Sequence, residues 1–80
     1  MLFNQAFGTT IKQLRKEQKL TQKVLAEKAD LSIDYIHDIE HNIYNPTLNV
    51  VVSLAQALEL KPSELIQQTE RVLEENNTKK

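Results

Sequence analysis

The chain has no cysteine and no tryptophan, one glycine, two prolines, two tyrosines and two phenylalanines in 80 residues. Without cysteine there are no disulfides and no thiolate metal centres, and the redox compartment cannot be read from the sequence. A domain this small ordinarily relies on disulfides, a metal, a partner subunit or very regular helix packing. With the first removed, helix packing or dimerisation must supply the stability. Scarce glycine and proline, set against many Leu, Ile, Gln, Glu, Lys and Ala, favour helix over sheet. No apolar run approaches the ~20 residues that cross a bilayer. The start, Met1-Leu2-Phe3-Asn4-Gln5, lacks the basic segment and apolar stretch of a secretion signal. The expectation is a cytoplasmic protein with no membrane partner. A large charge of one sign is also missing: the formal net charge is -1, which is not the basic balance usual in nucleic-acid binders.

The distribution of charge says more than its sum. From Lys12 to Lys28 the bases are Lys12, Arg15, Lys16, Lys19, Lys23 and Lys28, against Glu17 and Glu27. From Asp30 to Glu40 there are Asp30, Asp34, Asp38 and Glu40, with no Lys or Arg. A basic half is followed by an acidic stretch.

Apolar spacing predicts five helices and an all-α fold. Phe3, Phe7, Ile11 and Leu14 form one stripe of a first helix, from about Asn4 to Lys19. Thr21 is placed to cap a second helix, Gln22 to about Ala29, with Leu25, Ala26 and Ala29 inward. Ser32 is placed to cap a third, Ile33 to about His41, with Ile36 and Ile39 inward, and Asn42 suits the left-handed residue that stops it. After the loop Asn42-Ile43-Tyr44-Asn45-Pro46, Thr47 caps a fourth helix, Leu48 to about Leu58. Val50-Val51-Val52 alone resembles a strand, but Leu48, Val51, Leu54, Ala55 and Leu58 keep the helical period. Pro62 suits the first position of a fifth helix and Glu64 its positive dipole end. That helix is expected to end near Glu75, so that residues 1–75 form one domain and residues 76–80 a disordered tail.

Residues 22–41 carry the functional argument. Two short helices joined by three residues must cross steeply, with Leu31 plugging the inside of the turn. Ile36 and Ile39 hold the second helix against the first, and Ile33, Asp34, His37 and Asp38 are left facing outward. That is the geometry of a helix-turn-helix, whose second helix enters the major groove of DNA. The same spacing also suits an ordinary helical hairpin.

The sequence resembles the lambda-repressor/Cro-like helix-turn-helix domains, also called the xenobiotic-response-element family, over about Gly8 to Leu65. The matching residues are Gly8, Ile11, Leu14, Arg15, Leu20, Thr21-Gln22, Leu25-Ala26, Ala29, Leu31-Ser32, Tyr35-Ile36, Ile39-Glu40, Asn45-Pro46-Thr47-Leu48, Leu54-Ala55, Ala57-Leu58, Pro62 and Leu65. The short length and extended fifth helix are also similar to restriction-modification controller proteins. The resemblance implies a five-helix fold, DNA recognition by the third helix and homodimers that regulate transcription in bacteria, phages or plasmids.

It further implies that Gln22 meets a DNA phosphate beside the second helix's N-terminus, with Thr21 and Lys23 next to it. Tyr35 becomes a backbone contact, Asn42 and Asn45 hold a phosphate near the fourth helix, and Arg15 and Glu40 form a structural ion pair. Ile33, Asp34, His37 and Asp38 occupy the base-reading positions. The chain departs from the family pattern there. Two aspartates are repelled by phosphates and cannot copy the usual Arg–guanine contact. They are able to accept from cytosine N4, while Ile33 suits a thymine methyl and His37 a guanine. His41 and Ile43 stand where the family usually carries Arg or Lys, which removes charge that would release counterions. Asp30 replaces the familiar turn glycine, a position where aspartate tolerates positive φ.

His37-Asp38-Ile39-Glu40-His41 superficially matches a zinc-peptidase pattern, but Asp replaces the required Glu and no third ligand is evident. No metal, cofactor or catalytic set is expected, and no enzyme activity. Leu65, Val72 and Leu73, with Ile43 and Tyr44, are expected to form a two-fold dimer interface. The alternative for the fifth-helix residues is packing on Leu2, Phe3 and Phe7. Two readings of function follow: a homodimeric transcription regulator on a palindromic operator, and a protein-interaction module of the same fold, antitoxin- or anti-repressor-like, with weak DNA affinity.

Overall fold

The computed structural model describes residues 1–78. They form five helices: α1 (Phe3–Glu17), α2 (Gln22–Ala29), α3 (Ile33–Glu40), α4 (Leu48–Ala57) and α5 (Pro62–Thr78), and there is no strand among the described residues. The all-α expectation holds, including the helical state of Val50-Val51-Val52.

Each short helix begins on a side-chain cap. Thr21 Oγ1 accepts the Val24 N–H at 3.1 Å, Ser32 Oγ the Tyr35 N–H at 3.1 Å, and Thr47 Oγ1 the Val50 N–H at 3.2 Å. Each cap satisfies one of the backbone donors that a helix start leaves unpaired. At α1 the Leu2 N–H is taken by Gln5 Oε1 at 2.8 Å, and before α5 the Lys61 N–H by Glu64 Oε1 at 2.7 Å.

Helix ends are made without glycine. Lys19, Asp30, Asn42 and Glu59 take left-handed φ values of 59°, 57°, 64° and 61°. The reversals are tied by Leu20 N–H to Arg15 O at 3.0 Å, Leu31 N–H to Ala26 O at 2.9 Å, Ile43 N–H to Asp38 O at 2.9 Å and Leu60 N–H to Ala55 O at 2.8 Å. These bonds end α1 two residues before Lys19, and α3 and α4 one residue before His41 and Leu58.

α5 runs past its expected end at Glu75. Asn76 Nδ2 donates to Val72 O at 3.0 Å, and the Met1 amine donates to Asn77 Oδ1 at 3.2 Å, so the start of α1 is tied to the last turn of α5. Residues 76–78 are therefore helical rather than a frayed tail. Lys79 and Lys80 lie outside the described residues.

α1 packs on α3 and α5, α2 on α3 and α4, and α4 on α5. The centre is built from Phe7, Ile11, Leu25, Ile36, Ile39, Leu54, Leu58 and Leu65, all fully buried. Leu14, Leu20, Leu31 and Tyr35 close its margin. Two members of the expected apolar stripes stay outside. Phe3 is 42% exposed and Leu48 77%, each in the first turn of its helix. Thr10 and Thr69 are buried with their hydroxyls donated back to Ala6 O at 2.7 Å and Leu65 O at 2.9 Å, so neither is left unpaired.

α1 and α3 meet at Gly8. A Cβ there would collide with the Ile39 carbonyl oxygen and lie 2.6 Å from Asn42 Oδ1. Glycine is required for close approach here, not for an unusual φ, since it sits within α1.

Candidate nucleic-acid interface

α2 and α3 are joined by Asp30, Leu31 and Ser32 and pack against each other. The inward residues of α3, Ile36 and Ile39, are 0% and 1% exposed, whereas Ile33 on the opposite side is 46% exposed. Asp34 and His37 are also exposed, and Asp38 is half-buried. The four base-reading candidates therefore stand outside the core on one short helix.

Their local partners differ. Asp38 Oδ1 lies 3.2 Å from His37 Nδ1, which leaves Nε2 as the free nitrogen of that ring. The His37 and His41 rings stack one turn apart, with centroids at 4.1 Å and a 34° tilt. Among the described residues, no group of three or more His, Asp or Glu is arranged to hold a metal. Tyr35 is half-buried and meets Tyr44 edge-on, with centroids 5.6 Å apart and planes at 76°. Ser32, Asp34, Tyr35, Asp38 and Tyr44 together line a shallow depression.

The far end of α3 carries a buried polar cluster. Glu40 takes Arg15 in a two-pronged ion pair, Nε to Oε2 at 2.7 Å and Nη2 to Oε1 at 3.0 Å. The side chains are 11% and 1% exposed, so both charges are withdrawn from water and need this pairing. Arg15 Nη1 also donates to Leu20 O at 2.8 Å, fixing the chain just before the α2 cap. Glu40 Oε1 accepts a third bond, from Gln22 Nε2 at 3.1 Å. Sequence reasoning paired Arg15 with Glu40 but gave Gln22 a separate task at the DNA backbone. Their union across α1, α2 and α3 has no signal in spacing.

The remaining backbone-contact candidates are spread over two places. Thr21 and Lys23 are exposed and flank Gln22, with the Thr21 hydroxyl already accepting within the cap. Asn42 is exposed but its Oδ1 lies over Gly8. Asn45 lines a groove with Phe3, Asn4, Phe7, Pro46 and Val51, at the junction of α1 and the α3–α4 loop.

The dimer candidates divide. Ile43 and Tyr44 are 61% and 51% exposed, and Leu73 is half-buried. Leu65 is 0% exposed and Val72 8%. This corrects the expectation for those two. Residues 65, 69 and 72 lie at successive helical steps on one face of α5, and that face packs inward, with Thr69 between the two apolar residues. Leu65 has no surface for a partner and Val72 almost none.

Sequence and structure comparisons agree with this geometry. Residues 11–65 match the Helix-turn-helix family, and the chain belongs to it, in its Cro/C1-like branch. It is 46% identical over 68 residues to the immunity repressor protein of Bacillus phage phi105, a match that spans 85% of this chain and 47% of the repressor. The chain thus covers about half the length of that relative. The crystal structure of the restriction-modification controller protein C.AhdI from Aeromonas hydrophila superposes with a TM-score of 0.75 at 32% identity, covering 78% of this chain and 94% of that one. The controller protein C.Esp1396I, crystallised as a tetramer with its natural 35 base-pair operator, superposes with a TM-score of 0.84 at 26% identity, covering 90% of this chain and 95% of that one.

Proposed function

We propose that the chain is a sequence-specific DNA-binding regulator of transcription that acts as a homodimer on an operator of two related half-sites, and that it has no catalytic role. The observation that carries this reading is the two-sidedness of α3: Ile36 and Ile39 are fully buried while Ile33, Asp34 and His37 serve no core. A repressor and an operator-bound controller among the chain's relatives support it.

In this reading the two α3 helices enter successive major grooves about 34–36 Å apart. Gln22, Thr21 and Lys23 meet a phosphate at the α2 N-terminus, where backbone N–H groups and the helix dipole favour an anion. Asn42, Asn45 and Tyr35 meet the backbone further on. Ile33 packs on a thymine methyl, Asp34 and Asp38 accept from cytosine amino groups, and His37 presents Nε2, which accepts in the tautomer whose Nδ1–H faces Asp38 and donates when both ring nitrogens are protonated. The dimer is drawn from Ile43, Tyr44 and Leu73 together with Leu48. Such a regulator works where bacterial DNA is, in the cytoplasm.

One observation favours a second reading. Asp34 and Asp38 line a single depression with two tyrosines, which suits a basic protein partner better than a phosphate-rich groove. Binding to a random-sequence duplex across a salt series separates the two. A DNA binder loses affinity with a log–log slope near -0.9 for each phosphate neutralised. Absence of duplex binding even at low salt refutes the regulator reading and leaves the protein-interaction module.

A further inference from the structure

Gln22 is long, flexible and only half-buried, yet its amide is held in one place by Glu40 Oε1 at 3.1 Å. Glu40 already has a complete partner in Arg15, which meets both carboxylate oxygens at 2.7 and 3.0 Å. Neutralising and burying Glu40 therefore does not require the third bond. What that bond accomplishes is the immobilisation of Gln22 at the first position of α2, beside backbone N–H groups that the helix leaves unpaired.

We propose that Glu40 is a positioning residue for DNA binding, holding the Gln22 amide so that its second N–H and the first backbone amides of α2 converge on one phosphate. This rests on the reading that Gln22 meets a phosphate. Three features support it. The Gln22 Nε2 group carries two hydrogens and Glu40 uses one, so a donor remains. The Glu40 charge is cancelled by Arg15, so the carboxylate orients Gln22 without repelling the phosphate. Fixing the glutamine rotamer during folding also removes an entropy loss that would otherwise fall on the binding step. The arrangement links recognition to packing as well. Glu40 is the last residue of α3 and Arg15 lies in α1, so the phosphate clamp is set only when all three helices are docked.

The test is a double-mutant cycle read as affinity for a random-sequence duplex of about two helical turns, ~20 base pairs. Glu40→Gln keeps the size but removes the charge and turns one acceptor oxygen into an NH2 donor, so it cannot hold both Arg15 and Gln22 as the carboxylate does. Because it risks the fold by leaving Arg15 buried and unpaired, Arg15→Met with Glu40→Met is the second variant, since an apolar replacement of a buried ion pair commonly preserves stability. Either change is expected to weaken binding roughly two- to tenfold when Gln22 is present, the range for immobilising one flexible side chain. In a Gln22→Ala background the same change is expected to cost nothing further. Nitrogen relaxation of the Gln22 side-chain amide in the free, full chain is expected to show a rigid group that becomes mobile in either variant. Equal losses in both backgrounds, or a mobile Gln22 amide in the unmodified chain, overturn the proposal while leaving the phosphate contact standing. No effect of Gln22→Ala on duplex binding removes the contact itself, and the proposal falls with it.

Discussion

Gly8→Ala offers the sharpest check on the packing, because helix propensity and the fold predict opposite signs. Within an isolated helix the change is favourable by about 1 kcal/mol. Here the added Cβ meets the Ile39 carbonyl oxygen inside any normal contact distance and approaches Asn42 Oδ1 to 2.6 Å. The Asn42 tip can rotate away. The Ile39 carbonyl cannot, because it accepts the Asn42 N–H at 3.1 Å and lies next to Glu40, which is locked to Arg15. Either α1 or α3 must shift. Overpacking of this kind costs about 1–3 kcal/mol, occasionally more, and a backbone obstacle places it at the upper end. After subtracting the propensity gain, the expected net loss is about 2 kcal/mol. At roughly 4–8 °C per kcal/mol for a domain of this size, Tm should fall by about 8–16 °C. Circular dichroism melts at one fixed protein concentration measure this, with a urea midpoint at unchanged m-value as a cross-check. A variant that melts at or above the unmodified chain would refute the close approach. Adding Asn42→Gly should not restore Tm, and full restoration would mean that Asn42 rather than Ile39 is the obstacle.

Two further expectations concern the ion pair and the dimer. Arg15→Leu leaves Glu40, with its side chain 1% exposed, charged and unpaired, and should cost about 3–5 kcal/mol in urea unfolding. Arg15→Met combined with Glu40→Met should recover most of that loss, and no recovery would mean that the pair contributes more than mutual neutralisation. Ile43, 61% exposed, can become aspartate without touching the core, so Ile43→Asp should sediment as a folded monomer; an unchanged dimer would move the interface elsewhere.

Much of the fold was legible because its signals are local. Thr21, Ser32 and Thr47 were readable as caps, and each accepts the expected backbone N–H. Asp30 and Asn42 were readable as left-handed stops, since their side chains tolerate positive φ. Lys19 and Glu59 were not, because both are good helix formers. Side-chain bonds gather at those turns, one local and one between distant segments: Arg15 Nη1 holds Leu20 O, and Gln18 Nε2 holds Leu58 O at 2.8 Å. The α5 stripe was legible as apolar, but periodicity does not say whether the covering surface is the chain's own or a partner's. Leu65 and Val72 prove to be covered from within, alongside a threonine that hydropathy would place outside. The outward face of α3 could be named from spacing alone. The bond joining Gln22 to Glu40 could not, since it depends on how three helices meet.

The division of labour within α3 bears on how such a chain changes its target over time. Ile36, Ile39 and Glu40 anchor the helix and are each tied to residues far away in sequence. Ile33, Asp34 and His37 are tied to none of this, and exchanges at such open positions usually alter stability by no more than about 0.5 kcal/mol. A lineage can therefore rewrite the outer residues a codon at a time, passing only through folded ancestors, while the scaffold that presents them stays the same.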